Sequence, residues 1–473
     1  MMAASAVAEE APVLTQHHAR IAGKDLAYTA EAGRIAIRDA ETGEPHGYMF
    51  YTAYRVAGKQ HTARPLAFIW NGGPGADSSL LHFSAVGPRR IESGALVDNN
   101  ESWLAFADLV LVDPIGTGFS RPTKAEYGAE FYGTLGDIAS VTEFIRAWRI
   151  QHRAEDAPLW LAGESWGAGR AASVGYQLQH RGINVAGLVL ISGGWGLNDP
   201  PLPKELNQAL TIVDMATVAV FHKRAQMQPG ETLESFRKRV ATWAREVYAP
   251  ALSRVDALNE TERNDLAAQL STWSGLPLET IDRKKLAISP RQFRTTLLRD
   301  RQREAYLFDL RRTRAPDESP PAVLLNYWRG DLRYPTDLPY LGLERVETGY
   351  IPADHPVESI NERWNYATAQ LSKAEIDAAI AAAVASGSGP PRLGPPPPAS
   401  AEAVALNPRM RILVAGGLYD SFLPCAVGEE TERHLSGALH AAMTFRCYIG
   451  GHAMYLDAPA RRALSNDVGA LIR

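Results

Sequence analysis

The pentapeptide Gly163-Glu164-Ser165-Trp166-Gly167 has the G-x-S-x-G spacing that places a serine on a sharp turn between a strand and a helix. The apolar run Pro158–Ala162 precedes it, and a helical pattern extends from Gly167 to Gln179. The two glycines leave room for strand and helix to approach each other closely. The pattern predicts a nucleophilic Ser165 beside helix amides that can stabilise an oxyanion.

A serine hydroxyl is a weak nucleophile until a base removes its proton. When the serine lies on such a turn, an acid and then a histidine follow it along the chain. Asp420 lies just past the apolar run Met410–Ala415, and His452 lies just past Phe445–Ile449. We therefore predict Ser165, Asp420 and His452 as a catalytic triad.

Other side chains near the end of the chain could take the place of Asp420 or His452. His434 and His440 fall within or just after a polar helical stretch, so we expect them at the surface. The competing acids lie on that same predicted helix: Glu429, Glu430 and Glu432. Only Asp420 lies in the loop that follows the strand.

A glycine-rich loop, Asn71-Gly72-Gly73-Pro74-Gly75, follows the buried run Pro65–Trp70. Its spacing matches neither GxxxxGK[ST] nor GxGxxG, which argues against nucleotide binding. In a hydrolase whose serine lies on the strand-to-helix turn, a loop at this position supplies the second oxyanion amide.

Together these motifs resemble the serine carboxypeptidases, peptidase family S10, and in particular their bacterial branch. The resemblance covers most of the chain from about Pro65 to Leu456. Its motifs, in chain order, are Asn71 to Gly75, the run Asp113-Pro114-Ile115-Gly116-Thr117-Gly118-Phe119-Ser120, Gly163-Glu164-Ser165, Asp420 and Gly451-His452.

The resemblance implies an α/β-hydrolase fold and an enzyme that releases C-terminal residues from peptides without a cofactor or a metal. It further implies that the amides of Gly73 and Trp166 form the oxyanion hole, and that Asn71, Gly72 and Glu164 bind the terminal carboxylate of the substrate. Two carboxylates in contact cannot both ionise cheaply, so Glu164 and the substrate would share a proton. This predicts a preference for acidic pH. The alternative role for Glu164 is structural, as a strand-end residue bonded to nearby backbone.

The chain also departs from the family pattern. Trp166 stands where tyrosine is usual, and Ala76 and the residues after it replace a cysteine of eukaryotic members. Ala85 stands where a second glutamate is expected, so Arg89 and Arg90 either supply a positive charge to the site or form ordinary ion pairs. These departures keep two alternatives open, namely an esterase or acyltransferase with the same triad and, less favoured, a non-catalytic binding protein.

The elements that must position these residues follow from hydrophobic patterning. Leu26 to Tyr54 alternates like antiparallel strands, and the later continuous apolar runs predict a mostly parallel sheet covered by helices. After Trp195 the sheet pattern stops until Met410, which predicts a large helical cap insertion. The predicted division is a first core part at 1–195, the insertion at 196–386, a Pro/Gly-rich linker at 387–399 and a second core part at 400–473.

Composition narrows the remaining choices. The net charge of −4 gives no reason to expect a nucleic acid or an anionic membrane as partner. We expect a peptide or small acyl substrate, with a homodimer as one option for the assembly. Cys425 and Cys447 are expected as two free thiols, with a bridge as the alternative. The N-terminus lacks a complete signal peptide, so we expect a cytoplasmic protein, or a periplasmic or secreted one if that segment is a truncated signal.

Overall fold

A computed structural model describes residues 11–56, 64–197, 201–316, 321–344, 360, 363–368, 372–386 and 399–473. The chain divides into two compact units. Unit 1 comprises Met1–Asn198, Ser319–Ile412 and Ser465–Arg473, and unit 2 comprises Asp199–Glu318 and Leu413–Leu464.

The boundaries of the predicted four-part division differ from those of the two units. The predicted insertion at 196–386 contributes residues to both units. The predicted linker at 387–399 lies outside the described residues except for Ala399, and so does the N-terminal segment considered as a truncated signal. The four-part division therefore stays a prediction.

The strands are β1 Val13–Ile21, β2 Lys24–Arg38, β3 Pro45–Val56, β4 Leu66–Trp70, β5 Arg89–Glu92, β6 Ala95–Asp98, β7 Asp108–Val112, β8 Arg121–Pro122, β9 Leu159–Glu164, β10 Val185–Ile191, β11 Arg411–Gly417 and β12 Met443–Tyr448. The α-helices are α1 Ser79–Leu81, α2 Gly128–Phe131, α3 Thr134–Gln151, α4 Trp166–His180, α5 Lys204–Phe221, α6 Leu233–Trp243, α7 Ala249–Ser253, α8 Glu260–Ser274, α9 Pro290–Thr296, α10 Pro321–Asn326, α11 Lys373–Ser386, α12 Ser400–Leu406, α13 Cys425–His434, α14 Gly437–Ala442 and α15 Ala458–Ile472.

Unit 1 is built on a sheet whose strands lie in the order β1-β2-β3-β7-β4-β9-β10. The first three strands and the β3–β7 pair are antiparallel. The pairs β4–β7, β4–β9 and β9–β10 are parallel. The predicted antiparallel start and parallel centre are thus confirmed. The patterning did not reveal β1, which is only partly buried, or the short β5–β6 hairpin.

The central strands are buried along their whole length because helices cover them. Every residue of β4 and of β9 is buried, which requires the continuous apolar runs seen in the sequence. Helix α4 packs against β9 and β10, and α3 packs against α4 and β2. This is the α/β-hydrolase fold with a mostly parallel central sheet.

Unit 2 contains the helical segment α5 to α9. Phe236 and Val240 on α6 are buried, whereas Val247, which continues the same helical spacing just beyond α6, is 43% exposed. The helix widens to a π-turn at Ala244–Tyr248, which rotates Val247 away from the buried face. Asn259 caps α8, since its Oδ1 accepts from the Glu262 amide at 3.0 Å. No helix in the described ranges is long and apolar enough to span a bilayer.

The expectation of two free thiols is wrong. Cys425 and Cys447 form a disulfide with a Cα–Cα distance of 5.7 Å. Cys425 begins α13, and Cys447 lies on β12, against which α13 packs. The helix approaches the strand so closely that a Cβ on Gly428 would lie 2.3 Å from the Phe445 ring. The two cysteines are far apart in the sequence, and only this packing shows that they meet.

Candidate active site

Ser165 occupies the turn between β9 and α4. Its φ of 56° and ψ of −125° lie outside the regions that a residue with a Cβ ordinarily adopts. The Ser165 amide donates to the Ile191 carbonyl at 2.8 Å, which ties the turn to β10. Such a conformation costs free energy and persists only where the surroundings impose it, as they often do at functional sites.

The glycines around Ser165 are required by close backbone contacts. A Cβ on Gly163 would lie 1.9 Å from the Gly167 carbonyl oxygen, so the strand and the helix could not approach as they do. A Cβ on Gly72 would lie 2.6 Å from both the Glu164 carbonyl oxygen and the Trp166 amide nitrogen. The glycine loop therefore lies directly against the serine turn.

This contact brings the two predicted oxyanion donors to the same part of unit 1. Gly73 directly follows Gly72 and has a φ of 102°, a conformation that strongly favours glycine. Trp166 is the first residue of α4, and the first amides of a helix have no acceptor within that helix. The assignment of Gly73 and Trp166 as the oxyanion hole remains a prediction that this geometry permits.

Asn71 and Glu164 are in direct contact beside Ser165. The Asn71 Nδ2 donates to Glu164 Oε2, and the Asn71 Oδ1 accepts from the Leu81 amide at 3.0 Å. Both side chains are buried. The structure thus brings together two of the residues predicted to bind a terminal carboxylate, and it gives Glu164 a side-chain partner.

Sequence reasoning missed the ion pair that supports Asn71. Arg170 Nη1 donates to the Asn71 carbonyl at 2.9 Å, and its Nε donates to Asp137 Oδ2 at 2.5 Å. Burial raises the pKa of Asp137 above its usual range, although Arg170 opposes this rise. The available signal was a single arginine among the small residues of α4, Trp166–His180.

In unit 2, Asp420 follows β11 and His452 follows β12. The structure brings them together, with His452 Nδ1 at 2.9 Å from Asp420 Oδ2. The other carboxylate oxygen of Asp420 accepts from the Phe422 amide at 2.9 Å. Both side chains are buried. A buried carboxylate on one ring nitrogen can fix the tautomer of the imidazole and stabilise its protonated form.

Two aromatic residues beside His452 were also missed. The ring centroids of Phe308 and Phe422 lie 5.3 and 5.1 Å from that of His452. The His452 amide donates to the Phe308 carbonyl at 2.6 Å. Both phenylalanines keep substantial exposure, so they provide apolar surface next to the imidazole.

The remaining candidates lie elsewhere. His434 is on α13 and His440 is on α14, and both are exposed. Arg89 pairs with Asp98 at 2.6 Å and Arg90 with Glu92 at 3.0 Å, so the ion-pair alternative holds for both.

The described residues hold no group of three or more side chains suited to a metal ion.

A segment in the N-terminal half of the chain is similar to known carboxypeptidases. Residues 26–183 match the family model for serine carboxypeptidases, Peptidase_S10. The pheromone-processing carboxypeptidase KEX1 of Yarrowia lipolytica is 34% identical over 175 residues, which cover 36% of this chain and 27% of that protein. Its namesake from Aspergillus niger is 33% identical over 160 residues, covering 32% and 24%. The chain therefore spans about a quarter of the length of the curated relatives it matches.

A solved structure with a similar arrangement is that of KEX1(ΔP), a prohormone-processing carboxypeptidase from Saccharomyces cerevisiae. It has a TM-score of 0.49 and 14% identity, covering 94% of this chain and 91% of that one. The family match includes the glycine loop and the serine turn but ends before Asp420 and His452. The comparisons therefore show that the segment of residues 26–183 is similar to the serine carboxypeptidases, peptidase family S10.

Proposed function

We propose that this chain is a serine carboxypeptidase-like hydrolase that releases C-terminal residues from peptides through an acyl-enzyme on Ser165. The observation that carries the proposal is the buried hydrogen bond between Asn71 and Glu164 directly beside the strained serine turn. A general esterase has no need of a buried amide–carboxyl pair at that position, whereas recognition of a terminal carboxylate does.

The proposed reaction follows from the roles of the candidate residues. Ser165 Oγ attacks the carbonyl carbon of the last peptide bond while His452 takes its proton. The amides of Gly73 and Trp166 stabilise the resulting oxyanion. His452 then gives the proton to the leaving amine, and water repeats the sequence on the acyl-enzyme. Asp420 holds the imidazole in the required tautomer and stabilises its positive charge.

Recognition of the terminal carboxylate is proposed to involve a shared proton. Burial of two carboxyl groups side by side makes it costly for both to be ionised. One proton between them removes that cost and supplies a hydrogen bond. The Asn71 amide, which now donates to Glu164, adds a donor that carries no charge.

An esterase or acyltransferase with the same triad is the second candidate. It is favoured by Ala85, which stands where the family resemblance implies a second glutamate, and by the ion pairs of Arg89 and Arg90, which do not replace it. Placement in the bacterial branch of the family stays a proposal without support from the relatives named above, which are fungal.

The test is mass spectrometry of a peptide library incubated with the full chain at several pH values, with Ser165→Ala as the control. Removal of single C-terminal residues, fastest at acidic pH and absent in the variant, is the expected result. Cleavage of simple esters without any shortening of free-acid peptides would contradict the proposal. Acyl transfer to an added alcohol or amine in preference to water would favour the second candidate.

A further inference from the structure

One segment of unit 2 has a concentration of positive charge that the proposed reaction does not use. Residues 291–314 contain eight arginines and three acidic residues, although the whole chain has a net charge of −4. Asp317 and Glu318 follow in the sequence, and with both counted the excess of arginines is still three. An excess of this kind costs free energy unless something compensates it.

Part of this segment lines a cavity of about 400 Å³ in unit 2. This volume is within the range of sites that bind small molecules. Phe221 and Leu298 contribute apolar surface to it. Its charged lining consists of Arg301, Arg303, Arg311, Arg312 and Arg314.

The lining arginines differ in how they are compensated. Arg311 is fully engaged, since its Nη2 lies 2.6 Å from both Asp309 Oδ2 and Asp457 Oδ2. Arg312 has only a longer contact, with its Nε at 3.5 Å from Asp309 Oδ2. Across the part of the chain that the structure describes, no carboxylate oxygen lies within 4.0 Å of the Arg301 or Arg303 guanidinium nitrogens. Among the described residues, the side of the cavity formed by Arg301 and Arg303 therefore carries positive charge that no acid pairs with.

We propose that this cavity binds a small anion with two or more phosphate or carboxylate groups through Arg301, Arg303 and Arg312. The planar guanidinium matches both kinds of group with paired hydrogen bonds. Several guanidinium groups around one cavity favour a multivalent anion over a single charge. The apolar surface of Phe221 and Leu298 accommodates the uncharged part of such a ligand.

The proposal is tested by isothermal titration calorimetry of the full chain with pyrophosphate and, separately, with citrate at low ionic strength. The test variant is Arg301→Gln with Arg303→Gln. The control is Arg283→Gln with Arg291→Gln, which removes the same charge from exposed positions of unit 2 outside the cavity. Thermal unfolding of both variants checks that they are folded.

We expect binding of at least one anion, weakened about tenfold or more in the test variant and less than about twofold in the control. Pyrophosphate binding alone would identify a phosphate ligand, and citrate binding alone a carboxylate ligand. Absence of binding for both anions, or equal weakening in both variants, would overturn the proposal. Because no peptide takes part, the result is independent of the proposed hydrolase activity.

Discussion

The serine turn of unit 1 and the Asp420–His452 pair of unit 2 are held in place in different ways. The serine turn is fixed by backbone contacts, such as Gly72 against Trp166, that allow no side chain. The loops of the Asp420–His452 pair also meet through close backbone contacts, since a Cβ on Gly417 would lie 2.0 Å from the Gly451 carbonyl oxygen, but there a side-chain hydrogen bond joins the two loops as well. The comparison indicates that neither region has room for a Cβ at its glycines, and that the second depends in addition on one side-chain hydrogen bond.

The largest effect is expected from Ser165→Ala. It removes the nucleophile and should lower kcat/KM by roughly 10³–10⁶-fold, because the members of a triad act as a unit. The measurement is peptide hydrolysis together with fluorophosphonate labelling, and circular dichroism should show a folded protein. Labelling of another serine in the unmodified chain would show that the serine turn is not the reaction site.

His452→Ala should be about as damaging as the serine change, and Asp420→Asn should cost roughly 10³–10⁴-fold because the imidazole then takes the wrong tautomer. The exposed His440→Ala is the matched control and should retain full activity. Steady-state hydrolysis rates of the three variants decide the matter. If His440→Ala were as inactive as His452→Ala, the assignment of the last loop would be wrong.

Gly72→Ala tests the backbone side of the comparison directly. The added methyl group would lie 2.6 Å from the Trp166 amide, so the loop must move away from the turn. We expect a loss in kcat of about 10²-fold, comparable to removal of one oxyanion donor. Gly169→Ala is the control, because nothing lies within 4 Å of the added Cβ on α4. Equal activity of the two variants would mean that the loop contact has no catalytic role.

Glu164→Gln separates a carboxypeptidase from a general esterase. The glutamine cannot share a proton with the substrate carboxylate, so KM for free-acid peptides should rise. Its amide donates a hydrogen bond at any pH, so the acidic pH optimum of these peptides should flatten. Amide-capped peptides and simple esters should change much less. The quantity to follow is the ratio of kcat/KM for free-acid over capped substrates across pH. A ratio that the substitution leaves unchanged would assign Glu164 a structural role.

The smallest expected effect concerns stability near the glycine loop. Burial, together with the charge of Asp77, raises the pKa of Asp113 to about 7. The folded state therefore keeps a proton that the unfolded chain loses near pH 4, so the free energy of unfolding should fall between about pH 4 and pH 7. Asp113→Asn should flatten this part of the stability profile, as measured by urea unfolding across pH. The same slope in the variant would show that another group is responsible.

Short-range constraints explain which features were readable in the sequence. The parallel strands were predicted because burial on both faces demands continuous apolar runs, as in β4 and β9. The serine turn was predicted because a close backbone approach demands glycine at fixed spacing. The Asp420–His452 contact was expected only from the order of strands and loops, and the structure shows the two side chains bonded.

Features that depend on distant residues were not readable. Arg170 supports Asn71 across 99 positions of sequence, and no local pattern announces that contact. Two free thiols were favoured over the disulfide between Cys425 and Cys447, because two cysteines give no spacing rule.

By itself, the sequence determined the class of fold, the strand-turn-helix around Ser165 and the chain order of the candidate triad. Each of these is set by neighbouring residues, whose backbone geometry and burial leave a periodic or spaced pattern. The tertiary structure alone decided the Asn71–Glu164 bond, the Arg170 support, the disulfide and the arginine-lined cavity of unit 2. These contacts arise from packing between elements that are distant in the sequence. Their free energy does not depend on the order of neighbouring residues, so no local pattern predicts them.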